Sequence, residues 1–371
     1  MSSSQPRAHV DLSALVHNYR EVERLVGPCV AILAMVKADA YGHGAIPVSQ
    51  ALARAGCRVF GVATLAEAVE VRDAVAGVGA RVVVFGGLDA SDAEQAVACG
   101  AEIVTQERDV VEALGASASA AGCEVAVHVK VDTGMRRLGI EVADAPEFVR
   151  LIDRVAGVKP VALCSHFAMA ESVTTEVTGG QLERLEQAAQ AVANTIRELP
   201  CHLANSAAIL TRPHAHLDMV RPGLMLYGLY PDPGLAGHAA LEPVMTLEAR
   251  VVRVAQVGPG EGIGYGHTYR TTAPRVIATV RCGYADGYPR AMSNRGVALV
   301  EGCRVPVVGR VCMDQIMIDV SDVEGVALGT PVVLWGRGLD AGEAAELADT
   351  ISYELVARVG PRVERVYTEE S

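Results

Sequence analysis

The segment Val30-Ala-Ile-Leu-Ala-Met-Val-Lys37-Ala-Asp-Ala-Tyr41-Gly-His-Gly44 is an apolar run that ends in a lysine and a glycine-rich turn. A short apolar run bounded by turn residues predicts a buried strand. The chain contains only three lysines, although lysine and arginine together number 32. Arginine stays protonated, whereas a desolvated lysine can lose its proton and act as a nucleophile. Lys37 is therefore a candidate catalytic residue; the alternative is a stray cation in a chain that favours arginine.

The same pattern, a β-branched run followed by an Ala-, Glu- and Arg-rich helical segment, repeats from about residue 30 to residue 230. The runs predicted as strands are Val30–Val36, Val59–Ala63, Val82–Phe85, Glu102–Thr105, Glu124–Val131, Pro160–Cys164, His202–Ala204 and Leu217–Val220. Continuous apolar strands that alternate with helices indicate a parallel sheet covered by helices. Eight consecutive units predict a (β/α)8 TIM-type barrel, of class α/β. No Gly-x-Gly-x-x-Gly follows the first strand, which disfavours a doubly wound dinucleotide-binding sheet.

The rhythm changes after Tyr230-Pro-Asp-Pro-Gly-Leu-Ala-Gly237, which we interpret as a domain boundary. Beyond it, short Val-rich runs alternate with Gly and Pro turns, and this pattern predicts a mostly β domain. We expect residues 10–232 to form the barrel. We expect residues 233–371, with about residues 1–9, to form the β domain.

Bulk properties exclude several classes of protein. The chain has 371 residues, half of them hydrophobic, and a formal net charge of −12. This charge gives no general attraction to nucleic acid or to an anionic membrane. The N-terminus lacks the apolar stretch of a signal peptide, and the nine cysteines form no Cys-x-x-Cys pair. We therefore expect a cytoplasmic protein with reduced thiols. We expect no metal site, because His214-x-His216 has no obvious further ligands.

Polar side chains follow five of the predicted strands at their carboxyl ends, where a βα-barrel places its reacting groups. They are Lys37 and Tyr41, then Lys130 with Asp132 to Arg137, then Ser165 and His166, then Asn205 and Ser206, and finally Arg221 with Gly223. Each has an ordinary structural explanation, such as a helix N-cap or a turn. Because all of them fall on one rim of the barrel, we interpret them as one site.

The chemistry of this rim fits one ligand class. Tyr41, Ser206 and the backbone at Gly223 can hold a phosphate. Lys37 can form an imine with an aldehyde, and Arg221 can face a ring nitrogen. A phosphate, an aldehyde and a ring nitrogen together describe pyridoxal 5′-phosphate.

On these residues the chain resembles the alanine racemases, a barrel-fold family of pyridoxal-phosphate enzymes. The resemblance covers essentially the full length. Its segments are Met35-Val-Lys-Ala-Asp-Ala-Tyr-Gly-His-Gly44, Lys130-Val-Asp-Thr-Gly-Met-Arg-Arg-Leu-Gly139, His166-Phe-Ala168, Asn205-Ser206, Arg221-Pro-Gly-Leu-Met-Leu-Tyr-Gly228, Gly264-Tyr-Gly266, Cys282-Gly-Tyr-Ala-Asp-Gly-Tyr288 and Gly309-Arg-Val-Cys-Met-Asp-Gln315. It implies an isomerase that interconverts L-alanine and D-alanine and supplies D-alanine for peptidoglycan.

The resemblance also implies a role for each site residue. Lys37 carries the cofactor through an imine. The other cofactor-binding residues on the phosphate side are Tyr41, Asn205, Ser206, Gly223 and Tyr353.

On the ring side, the resemblance places Arg221 at the pyridine nitrogen, with His166 supporting it. Arg137 contacts the phenolic oxygen of the cofactor and the substrate, and the neighbouring Arg136 is the alternative for this role. Lys130 matches a lysine that is often carbamylated in the family, and a plain pair with Asp132 is the alternative.

The second domain completes the site in this family. Tyr265 and Met313 reach the active site of the partner subunit, with Cys312 and Asp314 in supporting positions, which implies a head-to-tail homodimer. Racemisation needs an acid–base group on each face of the substrate. By family precedent Lys37 serves D-alanine and Tyr265 serves L-alanine, and Tyr265 needs cationic neighbours to act as a base near neutrality.

Three other functions stay open. A serine or broad-specificity racemase has the same fold, and Met313 and Tyr353 would set the size of its pocket. A decarboxylase of this fold typically places a carboxylate against the ring nitrogen, where this chain has Arg221. A non-catalytic pyridoxal-phosphate carrier would be a barrel alone, without the domain that holds Tyr265.

Overall fold

Eight parallel strands close into a barrel in the first part of the chain. The structure, a computed structural model, describes residues 5–172 and 176–369. The barrel strands are β2 (Ala31–Met35), β3 (Val59–Val62), β4 (Arg81–Val84), β5 (Glu102–Thr105), β6 (Val125–Lys130), β7 (Val158–Cys164), β8 (Cys201–His202) and β9 (Met219–Val220). They pair in chain order, and β9 closes the barrel by pairing with β2. This confirms the predicted (β/α)8 TIM-type barrel.

Helices follow the barrel strands and cover the outside of the barrel. The helices are α1 (Leu12–Val26), α3 (Ala45–Arg54), α4 (Leu65–Ala74), α5 (Ala93–Cys99), α6 (Arg108–Ala121), α7 (Ala145–Arg154), α8 (Glu176–Thr195) and α9 (Ser206–Thr211), with the short turn α2 (Lys37–Tyr41) between β2 and α3. Strand β3 shows why the sequence folds this way, because all four of its residues are buried. A strand covered on both faces must be apolar along its whole length.

The second part of the chain is mostly β, as expected. The strands outside the barrel are the N-terminal β1 (Arg7–Asp11) and, in this second part, β10 (Met245–Val257), β11 (Gly262–Ile263), β12 (Tyr269–Arg270), β13 (Arg275–Val280), β14 (Val297–Val300), β15 (Cys303–Pro306), β16 (Ile316–Asp319), β17 (Pro331–Trp335) and β18 (Glu364–Thr368). Two short helices, α10 (Ala341–Leu347) and α11 (Ser352–Ala357), lie between β17 and β18.

The N-terminal strand belongs to this second sheet. β1 pairs antiparallel with β10 and parallel with β18, so the sheet order is β15-β14-β17-β10-β1-β18. β10 also pairs with β13, which in turn pairs with β16. The first and last strands of the chain are therefore neighbours, and this pairing holds the second sheet beside the start of the barrel domain.

The sequence did not predict α11 or β18. Helix α11 has only six residues, too few to show a helical period. Only two of the five residues of β18 are half-buried and the other three are exposed, so its sequence carries no apolar run. Both elements are stabilised by their neighbours rather than by local pattern.

Candidate active site

A cavity of about 540 Å³ opens at the carboxyl ends of the barrel strands. It is lined by the predicted residues Lys37, Tyr41, Lys130, Arg137, His166, Asn205, Ser206, Arg221, Gly223 and Tyr353, and also by Phe85 and Leu138. The barrel thus brings together residues from six strand ends, and α11 of the second domain adds Tyr353. A cavity of about 580 Å³ outside the barrel, lined by residues of α4 and α5 such as Arg72, lacks this set.

Lys37 stands at the end of β2, half-buried at the cavity wall. Burial lowers the pKa of its ammonium, and the positive charges of Arg137 and Arg221 lower it further. The carboxylate of Glu67 acts in the opposite direction. The net lowering increases the fraction of neutral amine, which is the form that acts as nucleophile or base.

The turn after Lys37 has an unusual backbone. Ala38, Asp39, Ala40 and Tyr41 all have φ between 53° and 55°, so they form one left-handed turn without a glycine. Such a turn costs roughly 1–2 kcal/mol per residue, so contacts must stabilise it. This turn fixes the spacing between Lys37 and Tyr41.

Hydrogen bonds to its backbone hold the left-handed turn. Glu67 accepts from the Ala38 N–H at 2.7 Å. The buried ring of His43 lies with Nδ1 2.9 Å from the Tyr41 carbonyl and 3.1 Å from the Ala40 carbonyl. Because carbonyls only accept, Nδ1 carries the proton. Burial lowers the pKa of His43 to about 4, so the ring is a neutral donor.

The glycines after the turn allow the second domain to approach it. A Cβ at Gly42 would lie 2.3 Å from the Val356 carbonyl oxygen of α11, and Gly42 has φ of +80°. Gly44 meets the Tyr367 side chain of β18 in the same way. Arg365 of β18 donates to the Gly42 carbonyl at 3.1 and 3.2 Å. The second domain therefore packs directly on the turn that carries Lys37.

Hydroxyl groups gather at one end of the cavity. The Ser206 hydroxyl oxygen accepts from the backbone N–H groups of Gly223 at 3.0 Å and Met225 at 3.3 Å, so its own hydrogen stays available. Burial raises the pKa of Tyr41 above its ordinary value, and that of Tyr353 to about 12. Both phenols are therefore protonated donors at neutral pH.

Asn205 caps the N-terminus of helix α9 and also lines the cavity. Its side-chain oxygen accepts from the Ala208 N–H at 3.1 Å, as an N-cap of α9 does. This is the ordinary structural explanation that the sequence offered for Asn205, and its position on the cavity wall is compatible with a second role.

Arg221 is buried at the opposite end and makes only donor contacts. Its Nη1 donates to His202 Nδ1 at 2.6 Å. Its Nη2 donates to the Ser165 carbonyl at 2.6 Å and the Leu203 carbonyl at 3.1 Å, and lies 3.3 Å from His166 Nδ1. The predicted contact between Arg221 and His166 is present.

Two arginines of the loop after β6 point in different directions. Arg136 pairs with Glu141 at 2.7 Å on the surface. Arg137 lines the cavity, and its guanidinium donates to no group within the described residues. Arg137 is therefore the one available to an anionic ligand.

Lys130 is buried at the end of β6. Burial lowers the pKa of its ammonium to about 8, with Arg221 and Arg137 adding to the effect. The Asp132 carboxylate accepts from the Gly134 and Arg136 N–H groups at 2.8 and 3.1 Å. In the part of the chain that the structure describes, no ion pair joins Lys130 to Asp132.

Tyr265 and Met313 lie outside this cavity. Their residues are 71% and 52% exposed, and neither lines the space around Lys37 in its own chain. Tyr265 begins a 3-10 turn, Tyr265–His267, beside the guanidinium of Arg310. A single chain therefore does not bring Lys37 and Tyr265 together.

The loop that carries Met313 is held firmly. The Cys312 and Met313 carbonyls accept from the N–H groups of Tyr284 at 3.1 Å and Ala285 at 3.0 Å. Asp314 shares Arg362 with the buried Asp286, at 2.8 and 2.9 Å. Cys312 and Asp314 therefore help to hold the loop that carries Met313.

Two residues of this site, Glu67 and Phe85, were not predicted from the sequence. Glu67 was recognisable from the capping-box spacing Thr64-Leu-Ala-Glu67, which the structure shows at the start of α4. Phe85 follows β4, and its ring lies 5.7 Å from the guanidinium carbon of Arg221. No local pattern marks Phe85, because an apolar residue at a strand end is ordinary.

Two negative findings apply to residues 5–172 and 176–369. No group of three or more His, Cys, Asp and Glu side chains is arranged to hold a metal ion, and His216 instead contacts the Ile209 carbonyl at 3.1 Å. None of the helices combines the length and apolar character needed to cross a membrane.

Known proteins match this chain over both of its domains. Residues 10–231 match the family model "Alanine racemase, N-terminal domain", and residues 244–367 match "Alanine racemase, C-terminal domain". An alanine racemase from Desulfovibrio desulfuricans is 42% identical over 98% of both chains. One from Halothermothrix orenii is 40% identical over 97% of this chain and 96% of its own.

A solved structure is also similar to this chain in its fold. The alanine racemase of Bartonella henselae, described with covalently bound pyridoxal phosphate, is 29% identical. It aligns with a TM-score of 0.89 over 99% of this chain and 100% of its own.

The closed barrel, the lysine-centred cavity and the β domain packed on the lysine turn define a two-domain barrel protein with its candidate site at the strand ends. Within that class, the chain belongs to the alanine racemase family. The family resemblance drawn from the sequence is confirmed.

Proposed function

We propose that this protein is a pyridoxal-phosphate-dependent alanine racemase that interconverts L-alanine and D-alanine and supplies D-alanine for peptidoglycan. The observation that carries the proposal is the cavity in which Lys37, the donor-only Arg221 and a group of hydroxyl donors face one space. The names of its relatives support the same reaction.

The cavity fits the cofactor at its phosphate end. A Cβ at position 223 would lie 2.5 Å from the Tyr41 hydroxyl oxygen, so only glycine leaves this space open. Tyr41, Tyr353 and Ser206 each retain a hydroxyl hydrogen that can point into the space. Three neutral donors without a carboxylate suit a phosphate group.

The cavity also fits the ring. The Nε–H of Arg221 has no hydrogen-bond partner among the described residues and is available to a ring nitrogen. Because arginine cannot accept, a nitrogen that it faces must accept and stay unprotonated. Bound pyridoxal phosphate supplies an aldehyde that condenses with amines and a ring that withdraws electrons from the substrate α-carbon.

Lys37 and Tyr265 provide the two acid–base groups. Lys37 Nζ, whose neutral fraction is increased because burial lowers its pKa, takes or returns the α-proton on the face used by D-alanine. Tyr265 of the partner subunit does the same through its hydroxyl oxygen on the face used by L-alanine. The guanidinium of Arg310 lies beside Gly266, the residue that follows Tyr265 in the chain.

The exposure of Tyr265 supports a head-to-tail homodimer with shared sites. A tyrosine that is 71% exposed and absent from its own cavity cannot serve Lys37 of the same chain without large movement. In a symmetric dimer the exposed Tyr265 and Met313 of each chain would cover the cavity of the other and exclude water. Arg137 would hold the substrate carboxylate, and Met313 would limit its side chain to a small group.

We further propose that Lys130 is carbamylated. A buried amine with a pKa of about 8 is partly neutral at neutral pH, and it can add to CO2 with loss of one proton. The product is an anion close to Arg137 and Arg221. The attraction between its negative charge and these two arginines would stabilise it. ¹³C NMR under ¹³CO2 tests this step: a carbamate signal should be present in the wild type, persist in Lys159→Arg and vanish in Lys130→Arg. A signal that survives Lys130→Arg would refute the assignment.

Incubation of the purified protein and pyridoxal phosphate with L-alanine tests the main proposal. We expect D-alanine to accumulate until both enantiomers are equal, and Lys37→Ala to abolish both turnover and the borohydride-reducible link to the cofactor. A Lys37→Ala protein that retains the link would refute the role of Lys37. Faster racemisation of L-serine than of L-alanine would favour the broad-specificity alternative.

A further inference from the structure

A column of hydrogen-bonded side chains runs through the barrel behind Arg221. Arg221 donates to His202 Nδ1 at 2.6 Å, and His202 Nε2 lies 2.9 Å from His128 Nδ1. His128 Nε2 lies 2.8 Å from a Glu102 carboxylate oxygen. Arg81 meets the other oxygen of Glu102 at 3.3 Å. None of the site roles described above uses His202, His128 or Glu102.

The column connects the two mouths of the barrel. Arg221 follows β9 at the carboxyl ends of the strands, whereas Glu102 and Arg81 are the first residues of β5 and β4 at the opposite mouth. His128 and His202 are each 1% exposed, in an interior that barrels normally fill with branched apolar side chains. A continuous polar column in that place calls for an explanation.

The two ends of the column determine the direction of every hydrogen bond. Arginine can only donate, so His202 Nδ1 accepts and the proton of His202 lies on Nε2. That proton is donated to His128 Nδ1, so the proton of His128 lies on Nε2 and is donated to Glu102. Burial lowers the pKa of His202 well below its ordinary value, and the charge of Arg221 adds to this effect. Two neutral imidazoles therefore connect a cation to an anion.

Glu102 is the nearest anion to Arg221 along this path. The direct partners of Arg221 are backbone carbonyls and imidazoles, and within the described residues no carboxylate forms an ion pair with it. Burial raises the pKa of Glu102, but the hydrogen bonds from His128 and Arg81 and the charge of Arg81 outweigh burial, so the net pKa lies below its ordinary value. The carboxylate is therefore charged at neutral pH.

We propose that Glu102 is a positioning residue for Arg221. Through His128 and His202, its carboxylate orders the hydrogen bonds and moderates how strongly Arg221 donates into the cavity. Hydrogen bonds in a chain polarise one another, with each bond strengthened by about 10–30%. A carboxylate at one end thus makes His202 a better acceptor and Arg221 a weaker acid. Only the effect on a cofactor ring nitrogen rests on the proposed function.

Neutron diffraction from crystals of the full chain tests the direction of the column without reference to turnover. We expect hydrogen density on Nε2 of both His128 and His202 and none on either Nδ1. Density on Nδ1 of His202, or on both nitrogens of His128, would overturn the proposal.

The visible absorbance of the bound cofactor tests the effect on Arg221. Glu102→Gln keeps an acceptor for His128 but removes the charge. At one fixed pH we expect the ratio of the protonated and unprotonated cofactor bands to change by about twofold or more. The matched control is Glu124→Gln, because Glu124 is exposed and directly precedes β6 at the same mouth.

The outcomes separate the two proposals. A Glu102→Gln spectrum identical to that of Glu124→Gln would overturn the effect of Glu102 on Arg221. If Glu102→Gln does not fold, Glu102→Asp takes its place. It keeps the charge but withdraws the carboxylate from His128, so its band ratio should differ from that of Glu124→Gln. A band ratio equal to that of Glu124→Gln overturns the proposal. A chain that binds no pyridoxal phosphate would refute the proposed function, whereas the neutron result would still decide the column.

Discussion

Replacing Glu67 by glutamine tests how the turn that carries Lys37 is held. The Glu67 carboxylate accepts three backbone N–H groups, from Ala38 at 2.7 Å, Ala63 at 2.7 Å and Thr64 at 3.1 Å. One oxygen faces Ala38 and the other faces Ala63 and Thr64. An amide has one oxygen, so Glu67→Gln must turn its NH2 group toward one of these donors.

The size of the effect follows from which contact is lost. Keeping the two bonds to Ala63 and Thr64 sacrifices the single bond to Ala38, whose residue is exposed and can bind water instead. Loss of one charge-assisted bond with partial replacement by water costs about 1–2 kcal/mol of unfolding free energy. For a chain of this size, that lowers Tm by roughly 1–3 °C.

The same substitution acts on Lys37. The Glu67 carboxylate raises the pKa of Lys37 against the larger lowering by burial, so its removal lowers that pKa further. Because Lys37 acts as a base when neutral, the acid limb of the pH profile for deuterium exchange into D-alanine should move to lower pH. The profile for L-alanine, which depends on Tyr265, should move less.

Calorimetry and the two exchange profiles measure these effects, with Glu70→Gln as the control. Glu70 lies on the same helix, is exposed and makes no hydrogen bond or ion pair among the described residues. We expect Glu70→Gln to change unfolding free energy by less than about 0.5 kcal/mol. If Glu67→Gln matched Glu70→Gln in both Tm and acid limb, the argument that Glu67 holds the turn would be wrong.

Four further substitutions test the proposed site. Tyr265→Phe should slow deuterium exchange into L-alanine more than into D-alanine, and equal losses would contradict the two-base assignment. An equal mixture of Lys37→Ala and Tyr265→Phe subunits should regain about a quarter of wild-type racemase activity if sites are shared between subunits, since half of the dimers then hold one intact site; no recovery would mean that each site uses one chain. Gly223→Ala should weaken binding of pyridoxal phosphate, measured by fluorescence titration, because the new Cβ meets the Tyr41 hydroxyl at 2.5 Å; unchanged affinity would place the phosphate elsewhere. Arg221→Glu should raise the transaminated fraction of turnovers, counted as pyruvate formed, and a constant fraction would refute its role at the ring nitrogen.

Most of the barrel was predictable because its signals are local. Strand β5 has the predicted bounds, since a buried apolar run between turn residues is visible in the sequence. The strand-end residues Lys37, His166 and Arg221 were found for a related reason. Once the strands are assigned to a parallel barrel, topology places their carboxyl ends on one rim.

Other features depend on contacts between distant segments. The left-handed backbone of Ala38–Tyr41 is unfavourable for these residue types. It is held by Glu67 of α4, and Arg365 of β18 binds the next residue, Gly42. The buried column from Arg221 to Glu102 joins four strands, and its histidines carry no motif.

The sequence alone thus determined the barrel, the rim of candidate residues and the family, because strand period, chain order and motif spacing are properties of a linear chain. Only the tertiary structure decided that α11 adds Tyr353 to the cavity and that Arg137 rather than Arg136 faces it. It also showed that Tyr265 lies away from Lys37 of the same chain. The physical reason is that burial, side-chain direction and proton position depend on neighbours that are close in space and remote in sequence.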